Sequence, residues 1–564
     1  MAELNGFEYD VVVVGSGAGG GMAAYTLTKE GLRVLMLEAG RDYDPIEETP
    51  MFQTNAEAPL RGTSNKDKNF GYYDATVDGG WQVPGEPYTM AEGTKFMLWR
   101  ARMLGGRTNH WGRLVPRFGP YDFKPKTRDG YGEDWPIDYD EIEPWYDKTD
   151  HLIGVCGDNP GVDNIPDVTE GVMQPAPEPR VMEILLKKAC ESLDIPVVKM
   201  RRAVMTEDKG DGRSPCFWAT NCGRGCSIGA AFQTTTSLIP FAKATGRLKV
   251  VTDAMVKWVH TGEAGQANAV TYVDRQTGKD VKLKAPRVVL APSATETARI
   301  LLNSKSKKYP NGLANSSGQV GRNLMDSTGA GVSGHVPAMQ GRPRYNEDGH
   351  TGNHYYVPWW GYQDQAKGKL NFPRGYHFEF GGRFSEPNIW TGGGVDGYGK
   401  KAKQAVRDKY GSSIGFSLRG EMVPNENCYC EIDSEVKDKW GIPVLKFHWK
   451  WAESEIKQVE HGLKWGEKII KAMGGVVTSP KRTGEEAILA GGQIIHEVGT
   501  TRMGDDPKTS VTNKHGQTWD VDNLFVMDGG VFVSSPHQNC TITIMALAMK
   551  NATWMSKQIK RGVL

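Results

Sequence analysis

Three cysteines, Cys216, Cys222 and Cys226, fall within eleven residues at the start of the stretch CFWATNCGRGCSIG. Their spacing, C-x5-C-x3-C, lacks the paired C-x2–4-C units of zinc fingers, and the next histidine is as far away as His260. Closely spaced thiolates, with Gly223, Gly225 and Gly229 freeing the chain to wrap around sulfides, suit an iron–sulfur cluster. Three ligands match a [3Fe–4S] centre, and Cys428 or Cys430 is a conceivable fourth ligand. A disulfide with a spare thiol, another metal, and unligated buried thiols are the alternatives. A second group of chemically able residues lies near the C-terminus: His496 in HEVGTTRMGDD, and His537 with Asn539 in SSPHQNC. Histidine suits general acid–base proton transfer because its ordinary pKa lies near neutral pH.

The most legible positioning elements are at the N-terminus. Val11–Val14 reads as a fully buried parallel strand, followed by Gly15, Ser16, Gly17 and Gly20 in a G-x-G-x-x-G loop that opens a helix. A second strand, Val34–Leu37, ends in Glu38, whose carboxylate can take both ribose hydroxyls of an adenosine. The loop glycines let backbone approach a pyrophosphate resting on the helix N-terminus. An acidic strand end disfavours a 2′-phosphate, so the ligand is FAD or NAD. No tidy strand–helix alternation follows. Buried strands recur far downstream, in RVVLAPSATETARILLNS (287–304) and NLFVMDGG (523–530), and an amphipathic helix closes the chain. A nucleotide domain assembled from scattered pieces suits a large flavin better than a short nicotinamide unit. Between them, GFSLRGEMVP, NCYCEIDSE and PVLKFHWKW alternate as strands of an antiparallel sheet, and 454–473 carries one apolar helical face. The aromatic run YYVPWWGY (355–362) can stack on sugar rings or fill a core.

Composition narrows the class. The 564 residues exceed a single core and carry a formal charge of +1, which gives no support to nucleic-acid binding or a polybasic membrane surface. Glycine, at 69 residues, is well above its usual share of about 7 % and has no period, as tight turns and close approaches to a ligand require. No apolar run is long enough for a transmembrane helix, and MAELNGFEYD carries no export signal of its own.

The opening loop, GGRTNHW (105–111), VGRNLMD (320–326) and DGGVFVSSPHQNCTITIMALA, in that order, resemble the glucose–methanol–choline (GMC) family of FAD oxidoreductases, from end to end. Within it the chain is most similar to catalytic subunits of bacterial FAD sugar dehydrogenases: glucose, gluconate and glucoside 3-dehydrogenases. The resemblance implies an α/β fold (α+β overall). A discontinuous Rossmann-like FAD-binding domain would use residues 1–50, 90–120, 200–326 and 490–564, with a cysteine-rich insert at 211–230. Residues 51–89, 121–199 and 327–489 would form the substrate-binding domain, with a mostly antiparallel sheet, and cap segments.

The same resemblance implies roles. His496 is the base and Asn539 the hydrogen-bond partner of the reacting hydroxyl, while His537 lines the substrate pocket, replaces His496 as base, or is a hydrogen-bonded loop histidine. Gly15, Ser16, Gly17, Gly20, Glu38, Gly105, Gly106, Asn109, His110, Val256, Asp528, Gly529 and Asn539 contact FAD, which some relatives bond covalently at the position of His110. Glu421 reaches the substrate or is a solvated strand carboxylate. Cys540 stands where relatives often have proline. Cys216, Cys222 and Cys226 match the cluster ligands of iron–sulfur-bearing relatives. The implied enzyme oxidises a pyranose hydroxyl, C3 of glucosides by the closing motif, with C1 of glucose and C2 of gluconate as alternatives. It passes electrons to a cytochrome c-type acceptor beside a small accessory subunit. That subunit carries the export signal to the periplasm; cytoplasmic residence fits equally. An oxygen-using oxidase without a cluster, and a non-catalytic flavin-binding scaffold, are the rival readings.

Overall fold

The computed structural model describes residues 8–49, 56–68, 71–218, 222–342, 354–382, 398–409 and 411–564. Residues 1–7, which open the reading of the N-terminus, and 219–221, within the cysteine stretch, lie outside the described residues.

Five short apolar runs build a parallel sheet in the order Leu524–Val526, Val288–Leu290, Val11–Val14, Val34–Leu37, Leu248–Val251. The three central strands are buried along their whole length, which is why they read as unbroken hydrophobic runs. Helices Ala18–Lys29 and Thr541–Lys560 pack together against this sheet, so the two ends of the chain close one unit. Between strand and first helix, Gly15 adopts φ +94°, and a Cβ there would sit 2.5 Å from the Ala291 carbonyl oxygen. Only glycine satisfies both constraints. An antiparallel sheet of Ala254–Thr261, Ala267–Asp274 and Asp280–Lys284 is inserted after the fifth strand.

A second, six-stranded antiparallel sheet runs Val476–Val477, Thr328–His335, Ser413–Gly420, Tyr376–Gly382, Tyr355–Val357, Val198–Lys199. Its two central neighbours pair with Phe378 opposite Leu418 and His377 opposite Arg419. Alternation then divides their side chains between two faces. Tyr376, Phe378, Phe380, Phe416 and Leu418 join Val459, Ile469 and Ile470 of helix Glu453–Ala472 in one apolar core. Each such side chain contributes about 1.5–3 kcal/mol by leaving water. The intervening residues, His377, Glu379 and Arg419, populate the other face. Trp359, from the aromatic run, is 1 % exposed and belongs to the apolar core, so that run packs rather than presenting a stacking platform. The mixed α/β class with an antiparallel second sheet is as the sequence implies. Among the described residues no helix is long and apolar enough to cross a membrane.

Candidate active site

One cavity of about 410 Å³ carries both sets of sequence-selected residues on its walls. Gly15, Ser16, Gly17, Glu38, Gly106, His110, Val256, Asp528 and Gly529 line it, and so do His496 and Asn539. Glu38 is buried, and its carboxylate accepts the backbone N–H groups of Ser16 at 3.1 Å and Gly40 at 2.7 Å. A Cβ placed on Gly17 would meet nothing within 4 Å, and one on Gly106 only the Gly17 Cα at 3.8 Å. Bare backbone therefore faces the cavity from two loops, as close approach of a cofactor requires. Asn539 Oδ1 is buried without a hydrogen-bond partner, an acceptor awaiting a donor. A long cavity, an acidic strand end, a bare cradle and an orphan acceptor together fit FAD.

The position of His496 is imposed by its neighbours. Ile495 sits at φ +66°, a left-handed conformation that a β-branched residue adopts only under constraint. The constraint is Asp326, whose two oxygens accept the backbone N–H of Ile494 at 3.2 Å and of His496 at 2.9 Å. Burial, then repulsion from Glu497, pushes the Asp326 carboxyl up to about 7, against the pull of those two donors. The imidazole is oriented from both sides, by Ser327 Oγ at 3.0 Å from Nδ1 and Asn539 Nδ2 at 3.4 Å from Nε2. An amide nitrogen can only donate, so Nε2 accepts, and the ring proton resides on Nδ1, donated to Ser327. Burial, followed by Arg419, lowers the His496 pKa to about 3, leaving a neutral ring with a lone pair on Nε2.

His110 is held differently. Trp99 Nε1 donates to its Nε2 at 2.9 Å, and its Nδ1 donates to the Ala75 carbonyl at 2.8 Å. Both ring nitrogens are engaged, which leaves neither for a bond to flavin in this arrangement. Burial lowers its pKa to about 3.

Several sequence-selected residues do not reach the cavity wall. Gly20 and Gly105 lie behind the loops they shape, with the Gly105 N–H donating to Ser16 Oγ at 2.8 Å. Asn109 turns inward: Nδ2 donates to the Leu104 carbonyl at 2.8 Å, and Oδ1 accepts from Thr235 Oγ1 at 3.1 Å. His537 diverges from Asn539 within the turn that carries both. Its Nε2 lies 3.2 Å from the Tyr362 hydroxyl and its Nδ1 3.3 Å from His377 Nδ1, beside a separate small pocket. Glu421 is no solvated carboxylate. At 1 % exposure it is clamped by Arg374 at 2.7 Å and Arg128 at 3.1 Å, away from the cavity.

The three cysteines share a small apolar cluster with Val204, Met205, Ala230 and Ala231. None of the eight cysteines is in a disulfide. Cys216 Sγ accepts the Trp218 N–H at 3.3 Å, and Cys226 Sγ the Ala231 N–H at 3.4 Å. Burial raises the Cys216 thiol to about 12 and raises that of Cys226. Cys428 and Cys430 belong to the main core, apart from the triad. Among the described residues no three His, Cys, Asp or Glu side chains form a group that could hold a metal ion.

Beside the triad stands Arg113, 0 % exposed. It donates to the carbonyls of Thr108, Asn109, Trp111, Cys222 and Phe232, and pairs with no carboxylate among the described residues. A buried cation without a counter-ion is costly, and the ionisable acids beside it are the thiols of Cys222 and Cys226 and the phenol of Tyr43. Gln233 ties the same turn to the loop bearing His110: Oε1 accepts the Cys226 N–H at 2.7 Å, and Nε2 donates to Asn109 Oδ1 at 3.3 Å.

Residues missed from sequence complete the site. Glu379 and Arg419 line the cavity from the antiparallel sheet, and Arg107 pairs with Glu497 at 2.6 Å on its edge. The signal for Glu379 was present, in the polar alternation of YHFEFGG through its aromatics.

Comparison with known proteins agrees with this geometry. The family description GMC oxidoreductase matches residues 12–328 with its N-terminal part and 424–548 with its C-terminal part. A 2-methyl-1,2-propanediol dehydrogenase of Mycolicibacterium austroafricanum is 31 % identical, over 97 % of this chain and 95 % of its own. The large subunit of a fructose dehydrogenase from Gluconobacter japonicus is 26 % identical over 98 % of each. A formate oxidase of Aspergillus oryzae, studied for modification of its FAD, superposes with a TM-score of 0.66 at 16 % identity, over 99 % of this chain and all of its own, a likeness of fold alone.

Proposed function

The chain belongs to the GMC oxidoreductase family, and from that premise we propose that it is an FAD-dependent sugar dehydrogenase acting on a secondary hydroxyl of a pyranose. The reading rests on the His496–Asn539 pair at the wall of the dinucleotide cavity. FAD, when bound, supplies the acceptor for a hydride. Nε2 of neutral His496 takes the hydroxyl proton, and Asn539 Oδ1, unpaired in the protein, accepts from a second hydroxyl of the substrate. Ser327 and Asp326 keep the ring in place while it becomes charged. The product is a ketone, with two electrons left on the cofactor.

The finer assignment is C3 of glucosides, giving 3-keto-glucosides, on the likeness of the closing motif to glucoside 3-dehydrogenases. A small diol is the competing substrate, favoured by the 31 % identity with the propanediol dehydrogenase. We further assign Cys216, Cys222 and Cys226 to an iron–sulfur cluster of the [3Fe–4S] type. The buried guanidinium of Arg113, which pairs with no carboxylate among the described residues, and the two N–H···S contacts support this assignment. The cluster would supply a one-electron carrier toward a cytochrome c-type acceptor, with a small partner subunit as in relatives named for a large subunit. Export alongside that subunit would place the enzyme in the periplasm; without it, the enzyme stays in the cytoplasm.

Anaerobic titration of the pure protein with methyl glucoside or 1,2-propanediol tests the substrate, with NMR of the product and iron determination by EPR. Bleaching of the flavin by the glucoside with a 3-keto product supports the reading. Bleaching by the diol alone, or iron-free protein that makes peroxide in air, overturns it.

A further inference from the structure

Glu379 is a buried charge with no part in the reaction as described so far. It is 8 % exposed, and it lines the cavity from a strand otherwise devoted to the apolar core. Burial alone would raise its carboxyl. Arg419, then His377 and Asn539, instead hold it well below the usual carboxylate range, so it is ionised. The Arg419 guanidinium lies at 3.4 Å, His377 Nε2 at 3.7 Å and Asn539 Nδ2 at 3.0 Å.

An ionised carboxylate accepts hydrogen bonds and cannot donate them. The amide group facing Glu379 must therefore be the nitrogen of Asn539, and that choice fixes everything beyond it. The same nitrogen lies 3.4 Å from His496 Nε2, so its second N–H addresses the base. The oxygen is left buried without a partner. Reversing the amide would put oxygen against carboxylate, two acceptors with no proton between them. It would also set oxygen against the imidazole lone pair. Either contact is repulsive, and burial of Glu379 and Asn539 keeps the repulsion strong.

We propose that Glu379 is a positioning residue of the reaction: its carboxylate locks the Asn539 amide so that the nitrogen addresses His496 and the oxygen is held for a second hydroxyl of the substrate. The function is polarity selection on a group that is sterically symmetric. Arg419 balances the charge, and His377 and Asn539 share with it the task of holding Glu379 ionised. The proposal rests on the reading of His496 and Asn539 given above, and its test is separable from that reading.

The test uses the flavin-loaded enzyme. A glutamine at position 379 can present either end to Asn539, so E379Q permits both amide orientations without changing shape. Its kcat is expected to fall at least tenfold with KM within threefold of the wild type. Combined with N539A, the loss of kcat from E379Q should shrink to less than threefold, because the group it orients is gone. Losses that multiply independently, or an E379Q enzyme with kcat within twofold of wild type, overturn the proposal. Should E379Q not accumulate with flavin, R419Q provides the second reading. His496 is faced by Glu379, Arg419 and His377 from the antiparallel sheet, and by Asp326, Arg107 and Glu497 from its own side. Removing Arg419 should raise the basicity of His496, moving the acid limb of kcat/KM to higher pH, with kcat within threefold because Glu379 stays in place. A tenfold loss of kcat without movement of the limb overturns the proposal. If H496A retained full turnover, the underlying catalytic reading would fail, whatever E379Q does.

Discussion

Two buried sites in this protein hold arginines, and they hold them in opposite ways. At the cavity wall the arginines face carboxylates: Arg419 meets Glu379, Arg107 meets Glu497, Arg102 meets Glu86 and Glu296, and Arg100 lies 4.0 Å from Glu86. At the cysteine turn Arg113 spends its donors on backbone carbonyls, and its ionisable acid neighbours are the thiols of Cys222 and Cys226 and the phenol of Tyr43. The first site is electrically complete as polypeptide. Its charges orient neutral groups, His496 and Asn539, whose work begins when cofactor and substrate arrive. The second has a cation that meets no carboxylate among the described residues, and under the proposed cluster the cysteine thiolates would balance it. A site that must reorganise little during turnover can be balanced by the protein itself. A site that stores charge is better balanced by a fixed counter-charge.

The largest effect that would sharpen this contrast is H496A. Loss of the base should slow flavin reduction by sugar by about 10²–10⁴-fold, measured by anaerobic stopped flow, while cofactor content stays unchanged. C222S should act on the other side of the division. Flavin reduction should stay within twofold of wild type while turnover with a one-electron acceptor falls at least tenfold; survival of that turnover would remove the cysteine turn from the electron route. R113M comes next. With the counter-charge gone, iron retained after gel filtration should drop below half of the wild-type content, and unchanged iron would mean that the guanidinium serves packing alone. The smallest effect is a flat one. Burial first, then Arg419, sets the His496 pKa at about 3. A base is active when deprotonated, so kcat/KM should hold constant from pH 8 down to about pH 5 and fall only below that. A limb near pH 6.5 would show that the ring is solvated in the working enzyme.

Sequence reveals these two sites unequally. The parallel sheet is legible because strands buried on both faces leave continuous apolar runs, and the glycine loop is legible because its spacing follows from backbone contact. His496, Asn539 and the cysteines stand out by residue type. Side-chain direction is what stays hidden. His537 and Asn539 are two residues apart in an irregular turn and point to different pockets; Asn109 and His110 are adjacent and face opposite ways. Periodicity says nothing in such turns. VGRNLMD marks a family motif, yet the task of Asp326 appears only when the strained Ile495 is placed beside it. Glu379 follows a strand alternation, but which face meets the cofactor depends on pairing with Ser413–Gly420, a partner more than thirty residues on.

That two-faced pair of strands has an evolutionary consequence. Phe378, Phe380, Phe416 and Leu418 answer to helix Glu453–Ala472, whereas Glu379 and Arg419, on the other face, answer to the cavity. Stability and selectivity are thus written on alternate letters of the same segments. A lineage can revise one without erasing the other, and relatives acting on a sugar and on a small diol can share one scaffold on those terms. Laboratory libraries confined to the cavity-facing letters should explore new substrates with few unfolded members.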